Sequence, residues 1–303
     1  MEGKYLMEKE HKDDDLEALK EISKQNNFTV IGIDDTFGFK CQQCGKCCMD
    51  RGDIILNPFD VYNGAKYLGI KPSEFLDKYC DIDLGCNSKI PIVLLKTTEN
   101  GFCPLLKYDI KDGGKFKCTI HPVKPGACAN HPIGVAYSTN LSTGESTTKY
   151  VKVEQCSNSI SDEQQTVRDW VQSYLNHQDE IDAAHKIQHL VTNYFNARNF
   201  YLSFLFLHDC AGKFDNEDAG DKIMSVLKQY VAVSVHVAYA EYNTDKPFIE
   251  QVENNIKSLD DFYTGLKELF DTLSKGFEEK TGDSLEEIIK KLDSKGETTD
   301  DSN

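Results

Sequence analysis

Short apolar runs separated by turn signals characterise the first half of the chain, and this pattern is typical of β-structure. Phe28 to Ile33 and Ile90 to Lys96 are rich in apolar and β-branched residues, so each predicts a strand. Phe102 to Tyr108 and Phe116 to Ile120 flank the tight-turn signal Asp112-Gly113-Gly114. The pattern therefore predicts a hairpin with one cysteine near each arm.

Helical periodicity appears between these strands and dominates the second half. Asn57-Pro58 combines a helix cap with a proline at the first helical position, and Gly69 suits the left-handed end of the same helix. Pro72 to Tyr79 predicts a second short helix. Ser161-Asp-Glu-Gln164 has the form of a capping box, and the apolar residues that follow at helical spacing predict a helix from this point.

Towards the C-terminus the pattern predicts two late helices, Ser258 to Ser274 and Ser284 to Leu292, with Gly276 and Gly282 as interruptions. Before them, every second residue from 231 to 237 is valine. This strict alternation favours a strand, although helical sequence surrounds it. Both helix and strand stay open for residues 230–240.

Together these elements predict an α+β protein, in which a small cysteine-rich domain with short helices and a β-hairpin precedes a mainly helical region. The expected organisation is an acidic leader at 1–27, the cysteine-rich domain at 28–158, a mainly helical domain at 159–293 and a disordered tail at 294–303.

Composition narrows the class of protein. Hydrophobic residues make up 39% of the chain, and no apolar run approaches the ~18 residues that span a bilayer, so no membrane segment is expected. The charged N-terminus lacks the apolar stretch of a secretory signal, which predicts a cytoplasmic location. The net charge of −16 argues against nucleic-acid binding, because such binding needs a sustained basic surface.

Charge and cysteine content together point to thiolate chemistry. Residues 37–158 hold 15 Lys and Arg against 12 Asp and Glu, so the flanks carry the negative excess. Locally basic surroundings lower the free-energy cost of holding thiolates. The chain has 11 cysteines, an odd number, and cytoplasmic thiols stay reduced. Clustered cysteines in that setting indicate metal binding or redox chemistry rather than a disulfide framework.

The densest cluster is Cys41-Gln-Gln-Cys44-Gly-Lys-Cys47-Cys48. Its two gaps of two residues match a bacterial ferredoxin run, and Cys103-Pro104 supplies a remote Cys-Pro. Gly45 suits a loop that needs positive φ to aim backbone amides at sulfur atoms. Zinc would also accept Cys41 and Cys44 as a knuckle, with two further thiolates from elsewhere. The spacing predicts a metal site, with an iron–sulfur cluster preferred and zinc as the alternative.

Cys48 follows Cys47 directly. Side chains of adjacent residues diverge in an extended chain, so the two thiols could serve different metal centres. Alternatively, one of them is buried as a small hydrophobe. We favour binding by both, whereas Cys80, Cys86 and Cys210 are expected to be ordinary cysteines.

Further motifs follow in order: Cys103-Pro-Leu-Leu, then Phe-Lys-Cys118-Thr-Ile-His121-Pro, then Lys124-Pro-Gly-Ala-Cys128-Ala-Asn-His131-Pro132. From about Phe39 to Cys156 the chain resembles the CxxCxxCC cysteine-cluster proteins, also called the YkgJ family, whose domain chelates zinc or iron. The resemblance implies that the metal ligands are Cys41, Cys44, Cys47, Cys48, Cys103, Cys118, Cys128 and Cys156. It implies zinc or iron as the cofactor and names no activity.

Three positions depart from the family pattern. Lys124-Pro125 stands where relatives have Arg-Pro, which keeps the charge but loses the planar guanidinium fork. His131-Pro132 stands where relatives have an aromatic residue before proline. This imidazole could be a ligand, a proton partner or a packing residue, and packing or hydrogen bonding is the favoured interpretation. Cys156 lacks the Pro-Gly that often follows in relatives.

Motifs of several enzyme classes are missing from the sequence. It contains no Gly-x-x-x-x-Gly-Lys-Ser/Thr phosphate loop, no Gly-x-Gly-x-x-Gly after a strand and no Gly-x-Ser-x-Gly elbow. The leading hypothesis is a metal-binding protein, redox-active or structural, with an unknown protein or redox partner. Relatives leave open an iron–sulfur oxidoreductase or a protein lysine N-methylase-like enzyme. A third hypothesis is a protein-interaction module organised by zinc.

Overall fold

The computed structural model describes residues 28–84, 90–139, 146–153, 161–195, 225 and 228–282. The protein is α+β, as predicted, with small antiparallel sheets and a helical C-terminal region. The strands are β1 (Phe28–Ile31), β2 (Thr36–Gly38), β3 (Ile55–Leu56), β4 (Cys80–Leu84), β5 (Pro91–Leu95), β6 (Leu106–Asp109), β7 (Lys115–Cys118), β8 (Ile133–Thr139), β9 (Ser146–Val153) and β10 (Gln164–Thr166).

The helices are α1 (Pro58–Leu68), α2 (Pro72–Tyr79), α3 (Gly126–Ala129), α4 (Val167–Leu175), α5 (Gln178–Phe195) and α6 (Ile249–Thr281). Short 3-10 turns lie at Lys46–Cys48, Ile110–Asp112 and His121–Val123, and a π-helical turn lies at His236–Ala240. Among the residues described, no helix is both long enough and apolar enough to cross a bilayer.

The chain folds into two compact units, each built from two separate stretches of sequence. One takes its described residues from Met1–Ile55 and Leu95–Gln178, and the other from Leu56–Leu94 and Asp179–Asn303. The domains predicted from the sequence follow one another along the chain, whereas these units are discontinuous. The predicted boundaries stay a prediction.

The first unit contains antiparallel strand pairs whose registers are fixed. Strand β9 lies between β1 and β8, and β10 pairs with β2. The predicted hairpin is confirmed as β6 and β7, in which Leu106 lies opposite Cys118 and Tyr108 lies opposite Phe116. Since side chains alternate between faces along a strand, these four residues share one face of the hairpin.

A small core holds this unit together. Phe37, Ile133, Val167 and Val171 form a buried cluster. The ring of Trp170 meets Phe37 edge-on at 5.8 Å, a favourable aromatic geometry. Burial of these side chains fastens α4 to β2 and β8, because they come from all three elements.

The helix predicted to begin at Ser161 begins later. Residues Gln164–Thr166 form β10, and α4 starts at Val167. The side chain of Thr166 caps the helix by accepting a hydrogen bond from the N–H of Asp169 at 3.0 Å. Strand pairing with β2 gives the backbone of β10 partners that the local capping signal does not reveal, so tertiary structure overrides that signal.

In the second unit, α1 has the predicted capping. The N–H of Asp60 donates to Oδ1 of Asn57 at 2.8 Å, and the N–H of Asn57 donates to Oδ2 of Asp60 at 3.0 Å. The helix ends at Gly69, which has φ of 68°. Helix α2 also has the predicted bounds, and β5 lies between β3 and β4 in a small sheet.

The ambiguous valine segment is helical, and the strand alternative is wrong. Residues 228–235 are α-helical and His236–Ala240 forms the π-helical turn. Val233 is 40% exposed while Ala238 is fully buried, so burial does not follow the alternation of the valines. The hydroxyl of Tyr239 donates to the carbonyl of Leu56 at 3.2 Å, and the turn contacts α1, α2 and α6. Packing therefore decides this segment.

The late helices also differ from prediction. One helix, α6, runs continuously from Ile249 to Thr281 and passes through Gly276. A single glycine inside a helix costs only about 1 kcal/mol, which burial of Val252, Leu259 and Tyr263 on one face of α6 offsets. The second predicted helix, Ser284 to Leu292, lies outside the described residues.

Candidate metal centre

The first cysteine loop is shaped by left-handed backbone positions. Gln43 has φ of 53° and Gly45 has φ of 76°. Gly45 precedes the 3-10 turn Lys46–Cys48, and its carbonyl accepts a hydrogen bond from the N–H of Cys48 at 2.9 Å. The predicted positive φ at Gly45 is confirmed, and it places two cysteines in a tight turn.

Within that turn, the Sγ atoms of Cys47 and Cys48 lie 3.9 Å apart. The expectation that their side chains diverge is wrong, because the backbone is a turn rather than an extended chain. Two thiolates on one tetrahedral ion, with metal–sulfur bonds of about 2.3 Å, lie roughly 3.8 Å apart. The observed separation therefore suits two ligands of a single ion.

The Cys-Pro segment runs alongside this turn. The N–H of Cys103 donates to the carbonyl of Cys48 at 2.9 Å, and the N–H of Asp50 donates to the carbonyl of Gly101 at 2.7 Å. Met49 and Phe102 form an antiparallel bridge between these two hydrogen bonds. Backbone pairing thus brings two segments that are distant in sequence into direct contact.

The two hairpin cysteines receive backbone hydrogen bonds at sulfur. Burial raises the pKa of the Cys103 and Cys118 thiols. The N–H groups of Leu105 and Leu106 donate to Cys103, and the N–H of Ile120 donates to Cys118, which opposes the rise in pKa. Such amide donors stabilise sulfur once it carries negative charge or binds a metal.

Cys128 enters through the short helix α3. Its N–H donates to the carbonyl of Pro125 at 2.9 Å. A Cβ atom added to Gly126 would lie 2.6 Å from Cζ of Tyr174, so any larger residue would have to displace the end of this ring. The Cys128 thiol lies near Cys48 and near the guanidinium of Arg51.

The electrostatic environment favours one thiolate in the turn. The pKa of Cys47 is lowered to about 6, first by the hydrogen bond with Cys48 and then, against the effect of burial, by the charges of Lys124 and Arg51. The pKa of Cys48 is raised by the same hydrogen bond, by burial and by the negative charge of neighbouring thiolates. In this pair, Cys47 therefore ionises first.

The structure brings five of the predicted ligands into one half-buried neighbourhood, which we call the thiol patch: Cys47, Cys48, Cys103, Cys118 and Cys128. Cys41 and Cys44 are exposed on the adjoining loop, and Cys156 lies outside the described residues. Within the described ranges, no three Cys, His, Asp or Glu side chains form a group arranged to hold a metal ion. The patch is a set of donors rather than a closed coordination shell.

The remaining cysteines are placed differently. Cys80 is buried in the second unit, as expected of an ordinary cysteine, and it is 5% exposed. Cys86 and Cys210 lie outside the described residues.

His131 takes part in packing. Its ring meets Phe39 edge-on at 6.2 Å, and Phe39 in turn meets Trp170 at 5.4 Å. Burial lowers the pKa of His131 to about 4, and the charges of Arg51 and Lys124 act in the same direction. The imidazole is therefore neutral at pH 7, which agrees with the favoured packing interpretation.

Two residues of the site were missed by sequence reasoning. Phe116 contacts the first cysteine loop, where its N–H donates to the carbonyl of Gln43. Asn130 is 7% exposed, and its Oδ1 accepts no hydrogen bond from the part of the chain that the structure describes. Its carbonyl oxygen accepts one from Nε1 of Trp170 at 2.8 Å. The only signal for Asn130 in the sequence was its position between Cys128 and His131.

The donor set suits a thiolate-bound metal. Soft sulfur ligands select zinc, copper(I) or iron–sulfur clusters, and hard cations prefer oxygen. Here the half-buried thiols have amide donors at Cys103 and Cys118 and the cations Lys124 and Arg51 nearby. The amide donors and the cations stabilise the thiolate form that a metal requires, whereas burial opposes it.

Comparison with known proteins agrees with this chemistry. Residues 40–158 match the CxxCxxCC family, described as a "putative zinc- or iron-chelating domain". The match is confined to these residues, and it confirms the resemblance seen in the motifs. No curated protein and no solved structure matches the chain. The family description supports metal binding by this region and leaves zinc and iron as alternatives.

Proposed function

We propose that this protein holds an iron–sulfur cluster, in preference to zinc, and that the centre serves in redox or electron transfer. The proposed ligands are Cys41, Cys44, Cys47, Cys48, Cys103, Cys118, Cys128 and Cys156. The observation that carries the proposal is the thiol patch, in which cysteines from four separate segments lie among amide donors and cations.

The sulfur donors outnumber the ligands of one metal centre, since a zinc ion and an iron–sulfur cluster each take four. A structural zinc ion is complete with four ligands. The patch alone contains five cysteines, and the adjoining loop adds Cys41 and Cys44. The Cys41–Cys47 spacing and the remote Cys103-Pro104 also occur together in ferredoxin-type sites. The number of thiols does not choose between zinc and iron, and the ferredoxin-like spacing is the feature that favours an iron–sulfur cluster.

The surroundings of the sulfur atoms suit a redox centre. Reduction potentials of iron–sulfur clusters depend on net charge, hydrogen bonds to sulfur and solvent exposure. Two features stabilise added negative charge here. Backbone N–H groups donate hydrogen bonds to the sulfur atoms of Cys103 and Cys118, and the cations Lys124 and Arg51 lie nearby. When bound, an iron–sulfur cluster would supply one-electron transfer. The protein would supply the ligands, the hydrogen bonds and the compensating cations.

Zinc is the second candidate because of the distance between the sulfur atoms of Cys47 and Cys48. The 3.9 Å separation of the Cys47 and Cys48 sulfur atoms suits a single tetrahedral ion. A zinc ion there would stabilise the fold of the first unit without redox chemistry. Such a protein would fit the interaction-module hypothesis.

The deciding experiment is metal and sulfide analysis of protein purified without oxygen. Iron with acid-labile sulfide, and a visible absorption that bleaches on reduction, would support the proposal. A colourless protein with stoichiometric zinc would contradict iron and support the structural site. A reduced, folded protein with neither metal, even after reconstitution, would contradict metal binding altogether. Cys103→Ser/Cys118→Ser protein, prepared in parallel, shows how much metal is bound non-specifically.

A further inference from the structure

We propose that Phe116 is a positioning residue, which holds the first cysteine loop against the β6–β7 hairpin so that thiols of both can bind one centre. The inference rests on the proposed function. Phe116 has no donor atom for a metal, so its contribution is to place the residues that do.

The first observation is close contact between the Phe116 ring and Gly45. A Cβ atom built on Gly45 would lie 2.9 Å from Cγ, 3.0 Å from Cδ2 and 3.2 Å from Cβ of Phe116. The loop backbone therefore rests on the base of this side chain, where little movement is available. Glycine is doubly required here, because φ of 76° also disfavours any residue with a Cβ.

The second observation is a backbone hydrogen bond at the same place. The N–H of Phe116 donates to the carbonyl of Gln43 at 3.0 Å. Gln43 itself has φ of 53°, so the loop adopts an uncommon conformation where it meets β7. Ring and backbone of one residue thus hold both sides of Cys44.

The third observation is an aromatic stack that extends to the Cys-Pro segment. The ring of Phe116 stacks on Phe102 with centroids 6.1 Å apart and planes 16° apart, and it meets Tyr108 at 4.9 Å. Phe102 directly precedes Cys103 and bridges to Met49. On β7, Cys118 lies two residues beyond Phe116 on the same face.

The ring of Phe116 therefore connects its own strand, which carries Cys118, with the segments that carry Cys47 and Cys103. Two of these segments also have a direct backbone bond, from Cys103 to Cys48. The hairpin strand, however, meets the loop through Phe116. Loss of the ring should loosen the loop thiols relative to Cys118, while every donor atom remains in the chain and position 116 keeps its backbone N–H.

The test compares Phe116→Ala with two matched variants. Tyr108→Ala removes a ring that touches Phe116 but is not among the closest neighbours of Gly45. Phe116→Tyr keeps an aromatic ring against Gly45. Metal affinity is measured by competition with a chromophoric chelator, using zinc, and by iron content after reconstitution. Phe116→Ala should weaken zinc binding by about 10- to 100-fold, the range typical of residues that orient ligands. Tyr108→Ala and Phe116→Tyr should stay close to the parent.

A second readout requires no metal. In reduced, metal-free protein, Cys47 is half-buried, so alkylation by iodoacetamide reports how well the loop is held. Phe116→Ala should be alkylated at Cys47 faster than the parent, whereas Tyr108→Ala should not. This readout separates the two proposals: a parent that binds no metal contradicts the proposed function, while unchanged alkylation in Phe116→Ala contradicts this inference.

Gly45→Ala approaches the same contact from the other side and leaves the ring in place. It serves as the test variant if Phe116→Ala fails to fold, and it should also weaken metal binding. In the double variant Gly45→Ala/Phe116→Ala, the loss should be smaller than the product of the two single losses, because the ring that the new methyl group meets is gone. Parental zinc affinity in Phe116→Ala, or fully independent effects in the double variant, would overturn the proposal.

Discussion

The backbone N–H of Cys103 donates a hydrogen bond to the carbonyl oxygen of Cys48 at 2.9 Å. Both residues are proposed ligands, so the hydrogen bond ties the two halves of the thiol patch through main chain rather than through sulfur. A main-chain bond of this kind involves no metal atom, since the donor and the acceptor both belong to the backbone. The patch can therefore present several thiols together, which lowers the conformational entropy lost on metal binding.

The first prediction concerns the ligands. Cys44→Ser and Cys128→Ser should each lower metal affinity by more than about tenfold, because a serine hydroxyl replaces a thiolate that zinc and iron–sulfur clusters both require. Metal content per chain and thermal unfolding before and after chelation provide the measurement. Cys80→Ala, which alters a buried cysteine of the second unit, should keep parental metal content. Parental metal content and unfolding in both serine variants would contradict a shared centre.

The second prediction concerns the charge next to the thiols. Lys124 lies near Cys47 and Cys118, and its charge lowers the pKa of both. Lys124→Met should weaken metal binding by about 1 kcal/mol, roughly fivefold, because less positive charge compensates the thiolates. Chelator competition at constant ionic strength measures the change.

Two further variants make the charge test specific. Lys124→Arg keeps the charge and should behave as the parent, and Lys111→Met removes an exposed lysine from the hairpin turn. An equal loss in Lys124→Met and Lys111→Met would show that only the net charge of the protein matters.

The third prediction concerns the start of α1. Asn57→Ala removes the side-chain oxygen that accepts the N–H of Asp60, and it should lower the free energy of unfolding by about 1 kcal/mol. Urea denaturation provides the measurement. The control is Asn254→Ala, at an exposed position within α6, where alanine is a better helix former. If both variants had parental stability, the capping box would not contribute.

The fourth prediction concerns acid stability. Burial lowers the pKa of His185 below the ordinary value of 6.5, with a smaller contribution from His189 and an opposing one from Asp182. The folded state therefore holds this imidazole neutral at a pH where the unfolded chain binds a proton. Stability from this group is complete above pH 6.5 and decreases as the pH falls below that value.

Denaturation of the parent and of His185→Gln at about pH 8 and pH 5 measures this effect, since the two pH values lie on either side of the ordinary histidine pKa. The variant should lose less stability than the parent on acidification. His177→Gln, at an exposed position in the same part of the chain, is the control. An unchanged dependence on pH in His185→Gln would contradict the prediction.

Elements with strong local signals could be predicted because their stabilising contacts are close in sequence. Asn57 and Asp60 cap each other, and Gly69 ends the same helix. The pair Gly113 and Gly114, both with positive φ, turns the chain between β6 and β7. In each case a few consecutive residues satisfy their own backbone hydrogen bonds, so the sequence alone contains the information.

Where local signals competed with distant partners, the sequence predicted the wrong element or left two alternatives open. Gln164–Thr166 resembles the first turn of a helix but pairs with β2, which is remote in sequence. The alternating valines favour a strand, yet the buried turn that follows them packs on α1, α2 and α6. Both outcomes depend on surfaces that no window of neighbouring residues contains.

The sequence by itself determined which chemistry is available: thiols in a metal-binding spacing, a glycine that permits the loop, and a Cys-Pro to complement it. Only the tertiary structure decided which thiols meet, that Cys47 and Cys48 share a turn, and that Phe116 supports the loop at Gly45. The physical reason is that the deciding contacts join residues that are far apart along the chain. A donor atom is a property of one residue, whereas its distance from another donor depends on hydrogen bonds and packing between remote segments, such as Phe116 to Gln43 and Cys103 to Cys48.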